Sequence, residues 1–182
     1  IVEALLERSD EVTGVPGMSK QYTKIYKEAE GFGACVHTMR YGLFEGNVTG
    51  SRDGQPVAPL MGNIKDYDGG AGDYQMGPLT FMLNYPDHCV LYRFLPRSLT
   101  ETDVELVWFV RGDAEEGKDY NREDVVWLWD HTTQEDEYII LRNNAGVNSR
   151  FFEPGPYHPE FEATLQKFVG WYLHYLEKAS QP

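Results

Sequence analysis

Residues 121–156, NREDVVWLWDHTTQEDEYIILRNNAGVNSRFFEPGP, constrain this chain more than any other stretch. They read as one long helix with an acid on its apolar stripe. With Val125 at the origin and about 100° per residue, Trp129, Thr132, Asp136, Ile139 and Ile140 fall within roughly 60° of it, and Leu128 flanks them. Asp136 stands near the middle of that stripe. An ionised carboxylate on a buried face costs several kcal/mol unless it is paired or binds a metal. The helix therefore predicts a partner for Asp136, such as an Arg or Lys, backbone donors or a metal ion. The competing expectation is an ordinary ion pair or a solvated edge.

The 182 residues suit one domain with a sizeable core, and 41% hydrophobic with 14% aromatic content marks a globular chain. The net charge of −13 leaves no basic surface for nucleic acid and none for an anionic membrane. The two cysteines, Cys35 and Cys89, are too few for a disulfide framework and lie in strand-like runs. No run approaches the roughly 20 apolar residues of a transmembrane helix. The acidic, amphipathic start, IVEALLERSDEV, is no signal peptide, so the expected location is cytoplasmic. The chain opens on Ile1, as a piece of a longer protein would.

Along the chain, residues 21–30 fit an irregular strand or short helix, and residues 34–41 alternate as a strand does. Residues 42–54 read as loop and turn, and the glycine-rich residues 65–77 as a flexible loop. Three strand-like runs follow at 79–85, 88–95 and 103–111; their short links favour an antiparallel meander. An acidic connector, residues 112–121, leads to the long helix. Asn121 suits its N-cap, Glu123 and Asp124 suit its positive end, and Gly146 suits its close. A second amphipathic helix is expected from residue 159 to about residue 178, with Phe161, Leu165, Phe168, Val169, Tyr172 and Leu173 on one face. Strands followed by helices make an α+β fold with helices on one face of the sheet.

Few short motifs carry chemistry. Cys35-Val36-His37 matches half of a C-x-H…C-x-x-H cluster pattern, but Cys89 lacks the following histidine, so the run reads as strand. His131 points about 140° away from Asp136 on the helix and is a poor co-ligand. His37, His88, His158 and His174 have no evident pairing, and Asn47-Val48-Thr49 is a chance sequon.

Residues 129–136 (WDHTTQED), 143–149 (NNAGVNS) and 153–157 (EPGPY), in that order and spacing, resemble the C-terminal catalytic domain of Rieske-type ring-hydroxylating oxygenase α subunits. Residues 53–60 and the strands near 79–110 are similar to that family too, so the likeness covers most of residues 1–182, a single catalytic domain. The resemblance implies a helix-grip fold (START/Bet v 1-like), an antiparallel sheet curved around the long helix. It also implies a mononuclear Fe(II) held by two histidines and one carboxylate, with positions left for O2 and substrate. Asp136 falls on the carboxylate position, as metal ligand and catalytic residue, whereas Glu135 points off the stripe.

The family's two histidines belong to a D/E-x-Y-H-x-x-x-x-H motif that would precede Ile1. Its 2Fe–2S Rieske domain lies further upstream. These residues alone are therefore expected to be inactive. A reductase or ferredoxin as electron donor and a homotrimeric assembly are the partners the family implies. Residues 112–120 together with WLWDHTT look most like the branch acting on quaternary-ammonium compounds, for which aromatic side chains can form a cation–π cage. Aromatic substrates remain open. Two other readings stand beside the oxygenase: a metal-free helix-grip ligand-binding module, and a structural protein whose Asp136 pairs with Arg111, Arg142 or Arg150.

Overall fold

The computed structural model describes residues 24–26, 36–158 and 162–181. The strands are β1 (Lys24–Tyr26), β2 (Val36–Gly42), β3 (Gly70–Met76), β4 (Thr80–Asn84), β5 (Cys89–Pro96) and β6 (Thr102–Phe109). They form one six-stranded antiparallel sheet in chain order. Two helices follow, α1 (Arg122–Val147) and α2 (Ala163–Ala179). The α+β class and the meander agree with the expectation. Among the described residues, no helix is long and apolar enough to cross a membrane. Residues 1–23 and 159–161, which include the start of the expected second helix, lie outside the described residues, as does Cys35.

The glycine-rich stretch corrects the sequence reading: instead of a flexible loop, it holds β3. Residues 70–76 pair along their whole length with β2, and 72–75 also with β4. A Cβ at Gly72 would stand 2.9 Å from the Tyr74 ring, so a small residue belongs there. Intrinsic β-propensity, poor for glycine, yields here to two flanking ladders.

Register decides which side chains share a face, because alternate residues of a strand point to opposite sides. Val90 lies opposite Leu83 and Trp108, and Tyr92 opposite Phe81 and Leu106. The first turns of α1 sit on this face. Asn121 caps that helix, its Oδ1 accepting from the Glu123 amide at 2.9 Å, with Glu123 and Asp124 in the first turn. The close of α1 differs from the expectation. The helix runs through Gly146 to Val147, and Asn148 caps it, its amide donating to the Asn144 and Gly146 carbonyls. Asn148 Nδ2 donates to the Asn144 carbonyl as well, at 2.8 Å. A side chain able to satisfy the last carbonyls makes a left-handed glycine unnecessary.

Candidate active site

Two tyrosines fasten α1 to the sheet. Trp129 Nε1 donates to the Tyr85 hydroxyl at 3.1 Å. Thr133 Oγ1 donates to the Trp129 carbonyl at 2.6 Å, so its oxygen is free to accept the Tyr92 hydroxyl, also at 2.6 Å. The Tyr92 ring meets Trp129 edge-on at 6.0 Å and stacks on Phe94 at 6.2 Å, and Phe94 meets Phe81 edge-on at 5.8 Å. The result is a run of aromatic rings along the helix-bearing face of the sheet.

These phenols stay protonated. Burial, then the Asp73 charge, pushes the Tyr41 hydroxyl up to about 12. Burial, then Tyr41, raises Tyr85 further. For Tyr92, burial acts first; the charges of Asp136 and Asp130 also raise it, against the Thr133 hydrogen bond. They act as hydrogen-bonding groups and not as bases.

Asp136 itself is exposed, which corrects the expectation of a buried stripe. Val125 is buried, and Leu128, Trp129, Thr132 and Thr133 are half-buried, but Ile139 and Ile140 are each 61% exposed. The cause is length. The 26 residues of α1 extend roughly 39 Å at about 1.5 Å per residue, and the sheet covers only the first three turns. Among the described residues Asp136 makes no hydrogen bond or ion pair. The three arginines considered as partners are engaged elsewhere. Arg111 pairs with Asp113, Arg142 lies over the Tyr138 ring at 4.1 Å, and Arg150 lies over Phe151 at 4.6 Å.

An iron site of two imidazoles and a carboxylate is therefore met only in part. Asp136 is an uncommitted hard oxygen donor, as the carboxylate position requires. No group of three or more His, Cys, Asp or Glu side chains able to hold a metal occurs among the described residues. His131 Nδ1 is 2.9 Å from the Trp127 carbonyl, and His88 is fully buried against Asp87. The described residues fit the carboxylate and not the imidazoles.

A second polar centre escaped the sequence reading, which found no pairing for His88. Asp87 and His88 are both fully buried. The Asp87 carboxylate accepts the Thr49 hydroxyl through Oδ1 and the Val57 amide through Oδ2 at 3.0 Å. Oδ1 also lies 2.8 Å from His88 Nδ1. Burial alone would raise its pKa, but His88, then Thr49 and Val57, outweigh that and hold the carboxyl below its usual range. The His88 ring stacks on Tyr85 at 4.8 Å. Only the proximity of Asp and His in the sequence hinted at this pair. The Cys89 thiol is buried, and burial raises its pKa, so it is a packing residue and no nucleophile.

With this geometry established, comparison with known proteins places the chain. Residues 12–178 match the family described as ring hydroxylating alpha subunit (catalytic domain). The chain belongs to this family. Among relatives of this ring-hydroxylating domain, the glycine betaine monooxygenase oxygenase subunit of Chromohalobacter salexigens is 35% identical over 142 residues, which cover 78% of this chain and 32% of that protein. The subunit of the same name from Pseudomonas aeruginosa is 34% identical over 142 residues, 78% of this chain and 33% of that protein. The ring-hydroxylating domain described here thus spans about a third of the length of the curated relatives it matches.

Proposed function

We propose that this domain is the catalytic part of a Rieske-type mononuclear non-haem iron oxygenase that uses O2 to remove a methyl group from a quaternary-ammonium compound. The observation that carries the reading is Asp136: an exposed carboxylate with no hydrogen bond or ion pair among the described residues, one turn beyond the Tyr92–Thr133 clamp on the same helix. Asp136 supplies the carboxylate ligand, and two histidines outside the described residues supply the rest. Iron so held offers open positions for O2 and substrate. A 2Fe–2S domain elsewhere in the longer protein and a reductase or ferredoxin provide electrons. The assembly is a homotrimer, and the location is cytoplasmic. In the complete protein the sheet curves around α1 as a helix grip, so that the aromatic face encloses the substrate.

Substrate class rests on two supports. The relatives are named for glycine betaine. The rings of Phe81, Tyr92, Phe94 and Trp129 offer π-faces to a cation that has no N–H to donate, a group better met by aromatic faces than by a single carboxylate. The names of the same relatives support monooxygenation over dioxygenation of an aromatic ring. No observation favours the metal-free binding module. The test is oxygen uptake by the full-length protein with its reductase. Glycine betaine, or another trimethylammonium compound, should stimulate uptake and lose a methyl group. Stimulation by aromatic acids alone would overturn the substrate class.

A further inference from the structure

The proposed ligand stands on a helix that must be held at one height along the sheet, and the residues that hold it converge on a loop remote from Asp136. Asp87 binds residues Thr49 and Val57 of the β2–β3 connection at once. Between them, Gly50 lies so close to Tyr85 that an added Cβ would overlap the ring. The Tyr85 ring thus packs against both the Gly50 backbone and the stacked His88 ring, and its hydroxyl receives Trp129 of α1. From the same loop, the Arg52 guanidinium lies 4.7 Å from the Trp127 ring centroid, a second hold on the same helix. His88 Nε2 is buried without a hydrogen-bond partner among the described residues. The Nδ1 contact to Asp87 orients the ring, as carboxylates orient histidines elsewhere.

We propose that Asp87 is a positioning residue: by locking residues 49–57 and His88 around Tyr85, it clasps the first turns of α1 and so sets where Asp136 stands. Its bearing on catalysis rests on the oxygenase reading; the clasp itself does not.

Amide hydrogen exchange of the full-length protein, compared between wild type, Asp87→Asn, Gly50→Ala and Tyr85→Phe, tests it. Exchange over residues 125–133 should accelerate about fivefold or more in each variant, the size expected for one lost buried hydrogen bond. Exchange in the paired centre of β5 and β6 should accelerate by a smaller factor, no more than the loss of global stability requires. A purely structural role would speed both regions together, and such uniform acceleration, or none, would overturn the proposal. Tyr85→Phe removes one oxygen and keeps the ring, so it stays informative if Asp87→Asn fails to fold. Exchange needs no iron, so an Asp136→Ala variant that retained its metal would refute the ligand assignment while leaving this result readable.

Discussion

Asp87 keeps its charge away from water because donors meet both of its oxygens, and removing one of them strands a buried acceptor. Thr49→Val should therefore destabilise by about 1–3 kcal/mol despite its near-equal volume, measurable by urea unfolding of the full-length protein. The pH dependence has a definite sign. The folded carboxyl titrates below its usual range, so the unfolded chain binds this proton more readily. The stabilisation is then present above the unfolded value of about 3.9 and is lost as pH falls through the folded one. Unfolding midpoints followed downward from about pH 6 should drop in wild type below about pH 4, and the Asp87 part of that drop should be missing from Asp87→Asn, which starts lower. Asp136 behaves otherwise: it is exposed and, among the described residues, unpaired, so Asp136→Ala should leave stability nearly unchanged while removing the proposed activity. Such a split between stability and activity marks a residue kept for chemistry.

At the scale of elements, α1 is anchored at its start and exposed beyond its third turn. Its first turn depends on the Asn121 cap, and Asn121→Ala should cost about 1 kcal/mol, seen as faster exchange over residues 122–126. Much of this level was legible in the sequence. The stripe through Val125, Leu128, Trp129 and Thr132 names the turns that meet the sheet, and the three runs at 79–111 became β4, β5 and β6 with ends shifted by one or two residues. What failed did so for identifiable reasons. Gly69, Gly70 and Gly72 look like loop because strand β3 draws its order from β2 and β4 and not from its own residues. The stripe continues to Ile139 and Ile140 in sequence, but periodicity cannot say how far a sheet reaches. The Asp87–His88 centre was illegible because its partners, Thr49 and Val57, lie 38 and 30 residues from Asp87 in a loop without periodicity.

At the scale of the molecule, several large apolar side chains stand exposed among the described residues. Tyr138, Ile139, Ile140 and Leu141 on α1 are 56–63% exposed, and Leu165, Tyr172, Leu173 and Leu176 on α2 are about half exposed. Such a surface marks a contact site. Residues 1–182 expressed alone should bind a hydrophobic dye and self-associate, whereas the full-length protein should do neither; dye fluorescence and light scattering decide it. The same exposed half of α1 carries Asp136, so this surface and the proposed iron ligand coincide. The most direct test of the account is the iron content of the full-length protein, wild type against Asp136→Ala, purified in parallel and measured by elemental analysis with the 2Fe–2S contribution subtracted. The account predicts that the mononuclear iron is lost in the variant while the cluster remains. Equal mononuclear iron in the two proteins would contradict it.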